Sequence, residues 1–330
     1  MNFLQRAQTS FISWMQQVPL PFTEACPEFQ PWHHFDPGPR SKKHEREVNK
    51  RRMSITTSTS DMEHRRNIFP KPRSRYRNHQ IHYKPGPPVD VIFFQEVSKS
   101  ALQQILGDSR IRLSWISSER DDTAWGKQSF ATLTLMSKAR FTPNTGSGMN
   151  SASLGPIWRA RCPSRFDRDA LCCDIFVPSS SDSKLGSKPS STRVRLINVH
   201  LDSLPIQPFF RPRQISIISS YIHSAGCGVV AGDFNPVLEE DNLLIDKNHL
   251  TDAWGILRPE DPGYTWGVDG DQPFPPYRLD KVAVVGLTPS SIETLQPGRL
   301  GTLDSGSQQA ESPEDVPWSD HHGLLCSIKS

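Results

Sequence analysis

The sequence lacks the patterns that define several large classes of protein. It contains no run of about 18 apolar residues, so no membrane-spanning helix is expected. Its first residues contain no apolar segment of the secretory type. The 6 cysteines form no C-x-x-C pair and no zinc-ligand spacing. We therefore predict reduced thiols in an intracellular protein rather than a disulfide framework.

Acidic residues and regular hydrophobic periodicity are both scarce in the first 84 residues. Between Arg40 and His79, 13 Lys and Arg stand against 4 Asp and Glu, whereas the whole chain has a net charge of +3. We predict that residues 1–84 are a largely disordered basic region and that residues 85–330 form one domain. The basic run at 42–52 fits a nuclear import signal, a phosphate-binding arm or a solvated stretch. The first of these predicts a nuclear location, with the cytoplasm as a second one.

From residue 89 onward, short apolar segments rich in β-branched residues alternate with turn residues. They predict strands at 89–94, 131–136, 170–177, 194–201, 228–232, 279–286 and 323–328. Helical periodicity is found at 98–106 and 211–225. Because helices do not strictly alternate with strands, the pattern favours stacked mixed sheets with helices outside over a doubly wound sheet.

Carboxylates, imidazoles and an amide stand at the ends of five predicted strands. They are Glu96, His200, Asp233 with Asn235, Asp280, and Asp320 with His321. A single acid at a strand end is usually only solvated, and Asp233 with Asn235 also fits an Asx turn. Five such ends in one chain favour convergence on one site.

The motifs around these residues occur in a recognisable order. QE (95–96), NVHLDS (198–203), GDFNP (232–236), RLDKV (278–282) and SDH (319–321) resemble the motifs of the endonuclease/exonuclease/phosphatase superfamily, which is related to DNase I. The resemblance covers residues 89–328. Within the superfamily, TDAW (251–254), PGYTW (262–266) and SDHHGLLC (319–326) are most similar to the five-prime tyrosyl-DNA phosphodiesterases. The resemblance implies an α/β fold, a DNase I-like four-layer sandwich of two facing mixed β-sheets with helices outside.

The resemblance also implies a metal site and a catalytic set. Glu96 corresponds to the principal metal-binding carboxylate and Asp320 to a second, water-mediated one. Hard oxygen ligands favour Mg²⁺, with Mn²⁺ as a substitute. Asp233 would orient or deprotonate the attacking water, with Asn235 donating its amide to the same cluster.

The remaining implied roles concern the substrate phosphate and the groove around it. His321 would contact the phosphate, and Asp280 would orient it and raise its pKa. His200 would be a further donor, whereas Trp266 and Arg278 would lie in the substrate groove. His322, the second of two adjacent histidines, should be structural, because strand alternation turns it away.

One position departs from the family pattern. FISWMQQ (11–17) fits an early family strand that ends in Trp-Asn, but Met15 stands where the Asn is expected. A thioether cannot donate the amide hydrogen bond and is a poor ligand for a hard cation. Either the first 84 residues come from a wrong or frame-shifted exon, or the chain is a member with weakened catalysis.

Three hypotheses follow. The first is a monomeric, Mg²⁺-dependent phosphodiesterase that removes tyrosyl adducts from five-prime DNA ends in repair. The second is another phosphodiesterase of the superfamily, such as an abasic endonuclease, a deadenylase or a lipid phosphodiesterase. The third is a catalytically impaired DNA-binding member. WRARCPSRFDRD (158–169) fits either nucleic-acid contacts or a hairpin loop held by Arg–Asp pairs.

Overall fold

The structure is a computed structural model of the chain. It describes residues 28–35, 89–141, 152–178, 191–270, 272, 274–297, 299–300, 316–317 and 319–329. The rest of the predicted basic region, including Met15, lies outside the described residues, as does the segment 179–190.

The described residues form 14 strands. These are β1 (Phe29–Gln30), β2 (Val91–Ser98), β3 (Trp115–Ser117), β4 (Phe130–Ser137), β5 (Ser153–Arg161), β6 (Asp169–Pro178), β7 (Ser191–His200), β8 (Gly228–Asp233), β9 (Thr251–Asp252), β10 (Asp280–Val285), β11 (Thr288–Leu295), β12 (Arg299–Leu300), β13 (Val316–Pro317) and β14 (Gly323–Lys329). The α-helices are α1 (Lys99–Gly107), α2 (Ser109–Ser114), α3 (Lys138–Phe141), α4 (Arg211–Ala225), α5 (Leu244–Lys247) and α6 (Ala253–Leu257).

The main sheet contains seven strands in the order β1-β5-β6-β7-β8-β10-β9. Its β7–β8 pair is parallel and the other pairs are antiparallel. Two smaller sheets, β2-β4-β3 and β11-β14, lie against one face of it. Helix α4 packs on the opposite face, over β7 and β8, and α1 packs against β2. This helix–sheet–sheet–helix stacking confirms the mixed α/β sandwich predicted from the sequence.

The longest helix shows why the main sheet is covered on its outer face. Ile215, Ile218 and Ile222 recur at helical spacing in α4 and are fully buried. They pack with Ile197 and Val230 of the sheet in one apolar cluster. The helix ends at Gly226, whose φ of 78° is readily adopted only without a Cβ. A separate apolar cluster fills the space between the main sheet and the smaller sheets.

Eight residues of the predicted basic region belong to this fold. Phe29 and Gln30 pair with β5 at the edge of the main sheet, and His33 pairs with Ser117 of a smaller sheet. Seven of the 14 strands were not predicted: the long strands β5 and β11 and the short strands β1, β3, β9, β12 and β13. No helix among the described residues is long and apolar enough to cross a membrane.

Candidate active site

Three predicted site residues form one row across the main sheet. His200 ends β7 and stands beside Asp233, the last residue of β8. Asp233 in turn stands beside Asp280, the first residue of β10. Residues that are paired across a sheet point to the same face, so the sheet itself brings an imidazole and two carboxylates together. The row lies at the end of these strands, on the face of the main sheet that the two smaller sheets cover.

Asp233 is buried and held by the turn that follows it. Its two carboxylate oxygens accept hydrogen bonds from the backbone N–H of Asn235 (2.9 Å) and from the side-chain amide of Asn235 (2.8 Å). Burial, followed by the nearby charge of Asp280, raises the pKa of Asp233 to about 7. GDFNP therefore forms the Asx turn, and the same turn sets the direction of the Asp233 carboxylate.

Asn235 itself is occupied within this turn. Its side-chain amide donates to Asp233 and to the backbone carbonyl of Leu201 (3.1 Å), and its φ is 45°, a region that Asn tolerates better than most residues. Its amide does join the predicted cluster. With both donors engaged, Asn235 acts on Asp233.

His321 and Asp280 form the predicted pair. The Nδ1 of His321 lies 2.8 Å from Oδ2 of Asp280, although the two residues are 41 positions apart. Burial alone would lower the pKa of His321, but the hydrogen bond and the charges of Asp280 and Asp233 raise it to about 9. At neutral pH this imidazole is therefore cationic. His322 is buried, and its backbone N–H donates to Thr265, in agreement with a structural role.

His200 has the opposite electrostatic character. Burial, followed by the charge of Arg168, lowers its pKa to about 3, so the imidazole is neutral at physiological pH. Its Nε2 lies 3.4 Å from Oδ2 of Asp233 and 3.7 Å from Oε1 of Glu96. The two histidines of the site thus differ in charge, one neutral and one cationic.

Glu96 projects into the site from the other layer of the sandwich. It lies where the pairing of β2 with β4 is interrupted by a bulge between Phe94 and Val97. Its φ of 52° is unusual for a residue with a Cβ and costs on the order of 1–3 kcal/mol. Its side chain is 62% exposed, far more than the side chains of His200 and Asp233 in the row. The strand is distorted in a way that presents this one carboxylate to the opening.

Asp320 and Trp266 meet beside this opening. Asp320 is exposed, and one of its carboxylate oxygens accepts a hydrogen bond from the indole N–H of Trp266 (3.3 Å). The backbone of Trp266 also forms an isolated bridge with His321, and its ring stacks near Phe274 at 6.5 Å between centroids. An aromatic wall therefore stands next to the residues that were predicted to bind phosphate and metal.

Arg168 lies beside the predicted site residues, 3.8 Å from Glu96. The sequence predicted it only as one of the basic residues of the run at 158–169. Its guanidinium lies over the rings of Phe130 and Phe166, with 4.8 and 5.6 Å to the ring centroids. Its buried Nε has no hydrogen-bond partner among the described residues. A cation held by two rings beside an exposed carboxylate is suited to an anionic ligand.

Other residues of that basic run have structural partners. Arg159 is buried and binds Glu119 (2.7 Å) and Asp169 (2.9 Å), as in the Arg–Asp alternative. The segment 158–169 is a β-hairpin: it contains the end of β5, the connecting residues 162–168 and the first residue of β6. Asp202, near His200 in sequence, accepts hydrogen bonds from Gln214 and from the loop at 164–165.

Arg278 is engaged with a carboxylate of its own. Its Nη1 and Nη2 donate to the two oxygens of Asp252 at 3.0 and 2.7 Å, a bidentate pair that joins the start of β10 to β9. The predicted contact of Arg278 with substrate stays a prediction, and it would require donors that Asp252 does not use.

The donor set can be tested for its fit to a divalent cation. Among the described residues, no group of three or more His, Cys, Asp or Glu side chains is arranged to hold a metal. Mg²⁺ needs only one or two carboxylates because it retains several waters. The exposed Glu96 carboxylate fits that requirement, because it lies 3.8 Å from the guanidinium of Arg168 and 3.7 Å from the neutral imidazole of His200 rather than in a closed ion pair. Asp320 offers a second oxygen donor.

Comparison with known proteins adds evidence on the fold. No protein-family model matches the chain, and no curated protein matches its sequence. The crystal structure of D. rerio TDP2, humanized by 14 mutations, is similar over 73% of this chain and 86% of that one, with a TM-score of 0.50 and 18% identity. The chain shares the fold of TDP2.

Two further solved structures are similar at lower scores. The mannosyl-6-phosphatase Bt3783 of Bacteroides thetaiotaomicron has a TM-score of 0.47 and 13% identity, covering 73% of this chain and 85% of that one. An endonuclease/exonuclease/phosphatase family protein from Leptotrichia buccalis has the same TM-score and identity, covering 73% and 87%. The shared fold with TDP2 agrees with the DNase I-like architecture predicted from the motifs.

Proposed function

We propose that the chain is a metal-dependent phosphodiesterase of the endonuclease/exonuclease/phosphatase superfamily. One observation carries the proposal: a carboxylate with a raised pKa, Asp233, lies in register with Asp280, which holds a cationic imidazole, His321, at 2.8 Å. A base beside a fixed cation is what attack of water on a phosphodiester requires. The motif order and the shared fold with TDP2 support it.

Asp233 is proposed to take the proton of the attacking water. A pKa of about 7 suits this role, since a general base works best when its pKa is near the working pH. Asn235 positions Asp233, because its backbone and side-chain N–H groups donate to both carboxylate oxygens. The orientation of the base is therefore set before the substrate arrives.

Three side chains are proposed to bind the phosphate. His321 brings a positive charge and an N–H, and Asp280 keeps its ring turned correctly. Arg168 adds a second positive charge, fixed between two aromatic rings, and neutral His200 provides a donor without further charge. Preorganised donors of this kind stabilise charge that develops on the nonbridging oxygens.

Glu96 is proposed to hold a divalent cation, with Asp320 contributing through water. When bound, Mg²⁺ or Mn²⁺ would supply positive charge to the phosphate and the leaving oxygen. The exposure of Glu96 leaves room for the waters that such a cation keeps.

The proposed substrate is DNA with a five-prime phosphotyrosyl adduct, and the proposed process is DNA repair in the nucleus, by a monomer. The narrower resemblance of TDAW, PGYTW and SDHHGLLC supports this choice. Trp266 and Phe274 offer an aromatic wall beside the site, on which a base or a tyrosyl ring can stack.

A substrate panel tests the proposal. The purified full chain is incubated with Mg²⁺ and, in separate reactions, with a five-prime phosphotyrosyl oligonucleotide, abasic duplex DNA, polyadenylated RNA and a phosphoinositide. We expect tyrosine release from the first substrate, and this release should be abolished by EDTA and by Asp233→Asn. Glu293→Gln, at an exposed position of β11, should stay active and serves as the control. The Asp233→Asn arm excludes a contaminating enzyme.

Two results would overturn parts of the proposal. Cleavage of another member of the panel without tyrosine release would keep the chemistry and replace the substrate. Absence of all turnover, with salt-sensitive DNA binding intact, would favour the impaired DNA-binding member, and Met15→Asn would then show whether that position is the cause.

A further inference from the structure

Asn198 is a polar side chain in a place where an apolar one would be expected. It lies on β7, two residues before His200, faces the smaller sheets and is completely inaccessible to solvent. Leu196, two residues earlier on the same face, belongs to the apolar cluster between the sheets. A buried amide costs free energy unless its donors and its acceptor are all bonded, so its partners show what it does.

All the hydrogen bonds of the Asn198 side chain cross to the opposite layer. Its amide nitrogen donates to the backbone carbonyls of Phe94 (3.2 Å) and Leu133 (3.0 Å), and its oxygen accepts from Nε2 of Gln95 (2.8 Å). Phe94 and Gln95 are the two residues immediately before Glu96. One side chain of the main sheet thus holds the backbone and the side chain of the segment that presents Glu96.

The segment that presents Glu96 needs these hydrogen bonds, because it is not paired with the neighbouring strand. Phe94 pairs with Leu133, but the pairing of β2 with β4 then shifts, and Gln95 and Glu96 have no partner residue in β4. A bulge leaves such residues outside the ladder, and the φ of 52° at Glu96 persists only if the surroundings enforce it. Asn198 bonds the last paired position on both strands, which is the point from which the bulge departs.

Gln95 extends the same clamp to the strand that carries Asp233. A Cβ at Gly232 would stand 2.9 Å from Nε2 of Gln95 and 2.0 Å from the carbonyl oxygen of Val199. Gly232, with a φ of 134°, therefore lets Gln95 approach the backbone next to Asp233. Through Gln95 the segment that presents Glu96 is hydrogen-bonded to β7 and lies close to the backbone of β8.

We propose that Asn198, acting with Gln95, is a positioning residue that sets the direction of the Glu96 carboxylate and thereby the affinity of the site for a divalent cation. The inference rests on the metal role of Glu96 in the proposed function. Side chains that orient metal ligands typically contribute 10- to 100-fold to metal affinity.

Metal binding is the decisive measurement, because a residue of purely structural importance would not change it. Mn²⁺ binding to the full chain is measured by titration calorimetry and by the loss of the free-ion EPR signal, for wild type, Asn198→Leu and Gln95→Met. We expect the Mn²⁺ dissociation constant to rise about 10- to 100-fold in Asn198→Leu and less in Gln95→Met. Leu196→Ala, on the same strand and face, should lower the thermal midpoint without weakening Mn²⁺ binding.

The outcomes separate the inference from the proposed function. Unchanged Mn²⁺ affinity in Asn198→Leu, or no Mn²⁺ binding by wild type, overturns the inference; if Asn198→Leu does not fold, Gln95→Met decides in the same way. If wild type binds Mn²⁺ but hydrolyses no phosphodiester, the proposed function is overturned, and the Mn²⁺ affinities of the variants still decide the inference. If wild type is active and all variants bind Mn²⁺ with the wild-type affinity, the inference is overturned and the proposed function stands.

Discussion

Charged side chains occur in two regions of the molecule, and they are arranged differently. Away from the row, Arg195 and Asp174 form a closed pair, in which Arg195 donates to both oxygens of Asp174 at 2.7 and 2.9 Å. Beside the row, Glu96 lies 3.8 Å from the guanidinium of Arg168 and 3.7 Å from the neutral imidazole of His200. The closed pair engages both carboxylate oxygens with the guanidinium, whereas the exposed carboxylate of Glu96 stays available to a ligand.

Arginines and carboxylates serve two purposes in this fold, stabilisation in one region and a candidate ligand site in the other. Arg195 completes its bonds with the carbonyl of Tyr221 and the hydroxyl of Ser224, so its charge is fully satisfied within the fold. Arg168, equally buried, also lies over aromatic rings, as Arg195 does over Trp158, but it has no close carboxylate: Glu96 lies at 3.8 Å, and the buried Nε of Arg168 has no partner among the described residues. Rings fix a guanidinium without consuming its donors. Altering one region should therefore change stability, and altering the other should change activity.

The largest expected effect is on activity, from Asp233→Asn. If Asp233 is the base, kcat should fall about 10²- to 10⁴-fold. The free energy of unfolding at pH 8 should be unchanged or higher, because burial raises the pKa of Asp233 to about 7 and the ionised carboxylate is the disfavoured form. Steady-state kinetics and urea unfolding measure the two quantities. A variant with wild-type kcat would remove Asp233 from the mechanism.

The converse variant, Asp174→Ala, should break a closed pair. It leaves the Arg195 guanidinium buried without its counter-charge, which costs about 3–5 kcal/mol of stability. Arg195 lies five residues before His200, about 17 Å along the strand, so kcat of the folded fraction should stay within about twofold. Guanidinium chloride unfolding and kinetics on the same preparation test both halves. A large loss of kcat with unchanged stability would reverse the comparison.

The contrast also explains which features were predictable from the sequence. Strand periodicity located the strands that carry His200, Asp233 and Asp280, and the order of motifs then predicted that they meet. Strand β5 was missed because Gly155 and Pro156 interrupt it, and the pairing is indeed irregular there, between Leu154 and Ile157. A strand that tolerates turn residues through a bulge has no simple alternating signature.

The Arg–Asp alternative for 158–169 anticipated the pair of Arg159 with Asp169, but the partners of Arg168 and Arg278 could not be predicted, because they depend on packing between distant segments. Arg168 acquires its position from Phe130, 38 residues earlier and on another sheet, as well as from nearby Phe166. Arg278 acquires Asp252, 26 residues earlier. Local sequence shows that such a residue is basic, and only the fold shows whether its charge is closed or available.

The smallest effect is expected from Asp280→Asn. This variant tests whether the charge of His321 is available to substrate or is closed in a pair with Asp280. The pKa of His321 is raised to about 9, so the stability that its cationic form contributes is fully present below about pH 6.5 and is lost as pH rises through about 9. Removing the Asp280 charge should lower that pKa and move the alkaline limb of kcat downward by roughly one to two pH units. Activity near pH 6 should be less affected.

The measurements are a pH–rate profile from pH 6 to 10 and an NMR titration of the His321 ring, with Asp269→Asn, an exposed acid, as the matched control. Coincident downward shifts in both measurements, absent from the control, would mean that the imidazolium is the active form. A shifted NMR titration with an unmoved rate profile would mean that Asp280 and His321 form a closed pair after all, so that His321 would have to be grouped with Arg195 rather than with Arg168.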